Sequence, residues 1–331
     1  MAKIALTGIK PTGNPHIGNL LGAIKPALKI AEKYHALYFI ADYHALTSVK
    51  DKQALHQQIY GVAATWIAAG LDPEKVVFYR QSDIPEVFEL SWILSCFTPK
   101  GLLNRAHSYK AAVDNNLQNQ NDPDMGVNMG HYNYPILMAA DILMFNSNVV
   151  PVGQDQRQHL EMTRDIAHWF NQNYKKILVI PEALIQDNVK TIPGIDGRKM
   201  SKSYHNEIPL YVPSKQLKKK VMQIVTDSKE VHEPKDPENC NLFSIYKLFA
   251  EEKEIQTTHQ QYLDGGLGYG QLKQALFELI DTFVNEGRER YDYYMNHTEL
   301  LDQILLEGAS KARKIATPLL KTIRQTIGIE K

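Results

Sequence analysis

Two short segments about 180 residues apart carry residue types that could manage a polyphosphate. The first is Pro15-His16-Ile17-Gly18-Asn19, which follows a loop punctuated by Gly8, Pro11, Gly13 and Pro15. A turn between a strand and a helix leaves unpaired N–H groups and the positive end of the helix dipole in one place, and anions bind there. Gly18 admits close approach to the backbone, and His16 and Asn19 add donors on either side. The second segment is Gly197-Arg198-Lys199-Met200-Ser201-Lys202-Ser203, with three cations and two hydroxyls. Lysines on such a loop can meet charge that grows on a leaving group. Taken singly, the first segment also fits a plain turn with Asn19 as N-cap, and the second a solvated basic loop. In this order and at this separation they read as two halves of one site for a nucleoside triphosphate.

A third cluster suits an amino-acid pocket. On a helix, Tyr134, Met138 and Asp141 fall at i, i+4 and i+7, on one face. A carboxylate among Met and Tyr is costly to bury unless something bonds it. An indole N–H is a donor without acceptor capacity and would serve.

These residues need a frame. Short apolar runs alternate with helical patterns through the first half, which predicts strands at Lys3–Thr7, Ala36–Ala41, Val76–Arg80, Val149–Val152 and Ile177–Ile180. Helices are expected over Leu20–Tyr34 (Pro26 a possible kink), Lys52–Gly70, Pro85–Phe97, Tyr132–Phe145 and Asp155–Phe170. The stretch 98–130 reads as a less regular insert, its Asp114–Asp124 portion a polar loop. After about Pro213 only helical patterns remain: Ser214–Asp227, Leu242–Glu252, Ile255–Leu263, Gly270–Tyr294 and Thr298–Ile327. The expected architecture is α/β, a Rossmann-like parallel sheet forming a catalytic domain over 1–212, with an α-helical C-terminal domain over 213–331. Its last helix is expected to pack back on the first domain.

At 331 residues, two domains are a natural prior. Lys+Arg and Asp+Glu both number 37, which speaks against coating nucleic acid or membrane by bulk charge and leaves local patches open. Cys96 and Cys240 stand far apart, so neither a disulfide framework nor a Cys-rich metal site is expected. No run approaches the roughly 20 apolar residues of a membrane span, and a cytoplasmic location is the expectation.

The two signature segments resemble those of class I aminoacyl-tRNA synthetases. His16-Ile17-Gly18-Asn19 is similar to the family's HIGH, with Asn for the last His, and Lys199-Met200-Ser201-Lys202-Ser203 matches its KMSKS letter for letter. Within the class the chain is similar to the tryptophanyl-tRNA synthetase family, through Thr7–Gly13, Asp42–Ala45, Gln81-Ser82, Tyr134–Leu143, Val150–Gln156 with His159, and Val225–Ser228. The resemblance covers essentially the whole chain.

It implies ATP-dependent activation of L-tryptophan and transfer to the 3′ end of tRNA(Trp), with ATP as substrate and Mg²⁺ carried on its phosphates. Catalytic roles would fall to Lys199, Lys202, His16 and Asn19. ATP would be bound by Lys10, Pro11, Thr12, His16, Gly18, Asn19, Gly153, Gln154, Asp155, Ile192, Lys199, Met200, Ser201, Lys202 and Ser203. Asp141 would read the indole nitrogen, with Leu6, Met138, Val150 and Val152 around the ring. Gly8, Lys10, His44, Tyr134 and Gln156 would complete the tryptophan site. No metal-ligating protein residues are expected. Lys10 and Gln154 stand where many relatives have Gln and Glu, and Ala112 stands where a second lysine after Lys110 is common. A homodimer is implied, with 98–130 at its interface, and the helical domain would read the anticodon. Lys215, Lys218, Lys219 and Lys220, or Lys311, Arg313 and Lys314, would meet tRNA phosphates or remain solvated. DNA and membrane are not expected partners. A tyrosine-specific synthetase stands as the alternative, followed by a small-molecule nucleotidyltransferase and a non-catalytic tRNA-binding paralogue.

Overall fold

The computed structural model describes residues 2–153, 156–185 and 192–331, with Ile185 by its backbone alone. Five parallel strands form one sheet: β1 (Ile4–Ile9), β2 (His35–Ile40), β3 (Val77–Arg80), β4 (Val149–Val152) and β5 (Glu182–Ile185), in the order β3-β2-β1-β4-β5. In β2 every residue after His35 is buried, the near-continuous apolar pattern of a strand covered on both faces.

Helices fill the crossovers. Behind β1 come a single turn α1 (Ile17–Asn19), a π-helical stretch Leu20–Ile24, and α2 (Lys25–Ala31). Pro26 has no N–H to give, and the wider π register absorbs the lost bond just ahead of it. α3 (Asp42–Ala45) and α4 (Lys52–Ala68) follow β2; Asp51 caps α4 by accepting from the Ala54 N–H at 2.6 Å. α5 (Pro85–Ser95), α6 (Lys100–Leu103), α7 (His107–Gln118) and α8 (Met129–Leu143) separate β3 from β4, and α9 (Arg157–Asn173) separates β4 from β5. No strand follows β5 among the described residues. The remainder is α10 (Ser214–Val221), α11 (Asn241–Tyr246), α12 (Glu252–Asp264), α13 (Tyr269–Asn296) and α14 (Thr298–Thr326).

Several sequence expectations fail: the helices expected over Ser214–Asp227 and Leu242–Glu252 end at Val221 and Tyr246. Ile177–Ile180 is not a strand. Asn171 Oδ1 accepts from the Ile177 and Leu178 N–H groups at 2.9 and 3.0 Å, and Asn146 Oδ1 accepts from Val179 N at 3.0 Å. Side chains have taken the donors a ladder would need, so pairing begins after Pro181. The polar stretch 114–124 is not all loop either, since α7 runs to Gln118. Asn116 is buried there and ties the returning chain down, donating to the Pro123 and Met125 carbonyls at 2.9 and 2.8 Å. Tertiary bonding has overridden weak local propensity.

The core lies on both faces of the sheet. One face packs Tyr38, Trp66 and Phe78 with Leu272, Leu276 and Ile280 of α13; the other packs Leu6, Phe39 and Tyr79 with Ile136, Leu160 and Phe170. α14 lies along the edge strand β3 so closely that a Cβ at Gly308 would sit 1.7 Å from the Phe78 carbonyl oxygen. Asp302 accepts from Arg80 at 2.7 Å and Tyr60 at 2.9 Å, and Glu86 accepts from Arg313 at 3.0 Å and Thr317 at 2.6 Å.

Candidate active site

The order of the strands reverses between β1 and β4, and in open parallel sheets ligands settle beyond the carboxyl ends of the strands at that reversal. β1 delivers Lys10, Pro11 and Thr12 to this crevice, and β4 delivers Gly153. Gln154 and Asp155 lie outside the described residues.

The signature segments, distant in sequence, are in contact here. Lys202 Nζ donates to the Gly13 carbonyl at 2.8 Å and to the Thr12 carbonyl. Gly18 N–H points at the Met200 sulfur, 3.3 Å away. Ile17 N–H donates to the Ile208 carbonyl at 3.0 Å, and His16 bridges to Pro209, so the chain after the basic loop is stitched to the first turn. Ile192 accepts from Met200 N–H at 2.8 Å and packs against the core beneath the loop. Ser201 caps the short 3-10 turn Lys202–Tyr204, accepting from Ser203 N–H at 3.3 Å. Lys199 and Ser203 are exposed.

Asn19 is not the N-cap of the first turn. That position belongs to His16, whose N–H donates to Asn19 Oδ1 at 3.1 Å. Burial, reinforced by Lys202, lowers the His16 imidazole to about 4, so it is neutral at pH 7. Its Nδ1 is buried with no protein partner, an orphan that a ligand oxygen could satisfy. Burial also lowers Lys202 to about 8, with Glu207 opposing. Two groups at this crevice, His16 and Lys202, therefore stand to gain from an incoming anion.

The third cluster is built around Asp141 in α8, which is 2% exposed. Its carboxylate accepts from Gln81 Nε2 at 2.8 and 3.0 Å and lies 2.9 Å from His44 Nε2. Burial raises its pKa, and the His44 and Gln81 contacts hold it back. Tyr134, also on α8, bonds its hydroxyl to His159 and stands edge-on to His44 with ring centroids 6.2 Å apart. Leu6 and Val150 are buried in the same apolar cluster against which Met138 and Val152 pack, half-buried. A Cβ at Gly8 would strike the Phe39 ring at 2.6 Å, so only glycine keeps the β1 end low. Gln156 opens α9, its N–H donating to the Gly153 carbonyl at 3.0 Å. Lys10 Nζ donates to Thr47 at 2.9 Å, and Thr47 donates to the His44 carbonyl at 2.8 Å, which links the two halves of the site.

Three groups escaped sequence reasoning as functional positions. Gln81 is wholly buried, and the only hint was its place in a characteristic dipeptide. Asp42 accepts from Ser82 Oγ at 2.5 Å and Ser82 N at 3.1 Å, which locks the turn carrying His44 against the turn carrying Gln81. Asn206 organises the basic loop from beneath. Of the expected phosphate-binding cations, Arg313 is bonded to Glu86, and Lys311 donates to the Pro73 carbonyl at 3.2 Å. Lys215, Lys218 and Lys219 are exposed on α10, while Lys220 donates to the His205 carbonyl beside the signature loop at 3.2 Å. Lys110 is exposed on α7.

Comparison with known proteins agrees with this geometry. The family model described as tRNA synthetases class I (W and Y) matches residues 2–285. Tryptophan–tRNA ligase of Pseudomonas aeruginosa is 52% identical over 329 residues, 98% of this chain and 73% of that one. Tryptophan–tRNA ligase of Neisseria meningitidis is 50% identical over 330 residues, covering 99% of this chain and 98% of its own. The crystal structure of tryptophanyl-tRNA synthetase from Campylobacter jejuni complexed with ADP and tryptophan superposes with a TM-score of 0.90 at 46% identity, over 98% of this chain and 99% of that one. A tyrosyl-tRNA synthetase from Archaeoglobus fulgidus, 17% identical with a TM-score of 0.62, shares the fold. The parallel sheet, the joined signature loops and these likenesses together show that the chain belongs to the class I aminoacyl-tRNA synthetases, in the tryptophanyl-tRNA synthetase family.

Proposed function

We propose a division of labour among these residues for the reaction of the family, activation of L-tryptophan by ATP and transfer of tryptophan to the 3′ end of tRNA(Trp). ATP enters as its Mg²⁺ complex. Such a metal would be held chiefly by the phosphate oxygens and water, as Mg²⁺ usually is with nucleotides. The triphosphate lies over the first turn, where the neutral His16 donates to it and Asn19 holds the turn. Tryptophan binds with its indole N–H on Asp141 and its ring against Leu6, Met138, Val150 and Val152. Its carboxylate attacks the α-phosphate in line, and pyrophosphate leaves. Lys202, and Lys199 once the loop closes, meet the charge that grows on the leaving group. The 2′-hydroxyl of the terminal adenosine then takes the aminoacyl group from the adenylate. No covalent enzyme intermediate is needed; positioning and electrostatics carry the rate.

The single observation that carries this reading is Lys202 standing on the Thr12 and Gly13 carbonyls while Asp141 is buried in the adjoining cluster. In the same reading the sheet-bearing part, 1–212, performs the chemistry and the helices from 213 onward bind tRNA. The active species is a homodimer working in the cytoplasm. Exposed apolar side chains support an interface, with Trp92 73% exposed on α5 and Leu117 and Met125 exposed in 98–130.

The decisive experiment is ATP–pyrophosphate exchange with each aromatic amino acid. Stimulation by tryptophan alone is expected; stimulation by tyrosine instead would establish the other specificity. Exchange without tRNA charging would point to a nucleotidyltransferase. In Asp141→Ala the discrimination against phenylalanine should collapse while the circular dichroism of the folded chain persists; intact discrimination would refute the role given to Asp141.

A further inference from the structure

Asn206 stands four residues after Lys202 and is 1% exposed. Its side chain spends both ends of its amide on the basic loop. Oδ1 accepts from Ser201 N–H at 2.8 Å. Nδ2 donates to Asp196 Oδ1 at 2.7 Å and to the Lys199 carbonyl at 3.1 Å, with a longer contact of 3.5 Å to the Arg198 carbonyl. Its own carbonyl accepts from Ile195 N–H at 2.8 Å, so the same residue also ties the segment entering the loop. His205 just before it has φ +53°, a left-handed conformation that a non-glycine residue adopts only when its surroundings demand it. A Cβ at Gly194 would lie 2.4 Å from Asn206 Cγ, so the entering segment presses directly on the amide.

We propose that Asn206 is a positioning residue for the two lysines that face the nucleotide. The Lys199 carbonyl and the Ser201 N–H flank Met200, and holding both fixes the curvature that delivers Lys202 to the first loop. The amide is the right group for this task. It offers one acceptor and two donors in a single plane, and a loop whose N–H and C=O lose these partners must open or leave them unsatisfied. A carboxylate at this place keeps the acceptor, loses both donors and sets a second negative charge beside Asp196. Asn206 acts through the lysines and touches no substrate. The inference rests on the reading of Lys202 as the group that meets the phosphates.

The test is a double-mutant cycle on the full-length chain, read by tryptophan-dependent ATP–pyrophosphate exchange and by equilibrium dialysis of tryptophan without ATP. Asn206→Ala should lower kcat by about 10²-fold, comparable to removing a group that stabilises transition-state charge, while the tryptophan Kd stays unchanged. Lys202→Ala should cost far less in the Asn206→Ala background than in the parent, because Lys202 is already displaced; a residue of purely general structural importance gives additive losses. Should Asn206→Ala fail to fold, the near-isosteric Asn206→Asp carries the same cycle. Additive losses, an unchanged kcat, or a weakened tryptophan Kd would overturn the proposal. If Lys202→Ala in the parent leaves exchange unaltered, the reading of the loop itself fails and the role of Asn206 falls with it.

Discussion

Asp141 shows how much one side chain can decide. A carboxylate that is 2% exposed survives only because Gln81 and His44 bond it, and those bonds leave lone pairs for an incoming donor. Asp141→Asn should therefore lower kcat/KM for tryptophan and erase most of the discrimination against phenylalanine, which polar sites of this kind set at about 10⁴-fold or more. Steady-state exchange with the two amino acids measures it. Gln81→Met removes one partner and should raise the tryptophan KM while leaving the ATP KM alone; equal changes in both would assign Gln81 to general stability. Lys202 offers a pH test. Its pKa is lowered to about 8 because burial disfavours the charged form. The cation needed for phosphate is present below that value and lost above it. The ATP KM should rise by about tenfold per pH unit once the pH exceeds about 8. In Lys202→Arg, which stays charged, the break should vanish from the pH profile.

At the scale of elements, the placement of α14 against β3 matters most. Gly308 is there because the Phe78 carbonyl leaves no room for a Cβ, and Arg80, Glu86 and Glu89 bind the helix through Asp302, Arg313 and Arg324. Arg80 is followed directly by Gln81, so the last helix of the chain braces the strand end that holds Asp141 in place. Gly308→Ala should destabilise by about 1–3 kcal/mol, the usual cost of forcing volume into a packed contact. Thermal denaturation reads this, and an unchanged midpoint would mean that α14 shifts freely along β3. The basic loop is a second such element. Its entry segment is held by Asn206 through Ile195, and the bonds of Val225 to Ile195 and of Asn241 to Gly194 join it to the helical part of the chain.

For the whole molecule, the apolar surface that remains exposed has to be accounted for. Trp92, Met125, Met129 and Leu117 are each more than half exposed, and Tyr43, also exposed, packs on Phe88 with ring centroids 4.1 Å apart. Where large exposed apolar side chains form a contiguous patch they mark an interaction surface, and the proposed dimer would bury them. Sedimentation of the purified chain should give twice the monomer mass, and Trp92→Glu should shift it toward monomer. A monomer that sediments unchanged with full exchange activity would remove the dimer from the proposal. Among the described residues no helix is long and apolar enough to cross a membrane.

Much of this could be read from residues alone. Apolar runs of strand length separated by helical periodicity specify a parallel sheet, because strands buried on both faces cannot alternate. The pairing of the two signature segments followed from their residue types and order, and Tyr134, Met138 and Asp141 declared a shared helix face through spacing. Local pattern failed where side chains took backbone donors that pattern assigns to a ladder, as Asn171 and Asn146 did at 177–179, or where Asn116 steadied a polar helix. Contacts such as Lys202 on Gly13, Gln81 on Asp141, Asn206 beneath the loop and Arg313 drawn off to Glu86 were invisible in sequence. Each joins positions through space according to how the layers stack, and no periodicity along a chain encodes which side chain will meet which carbonyl once the crossovers close.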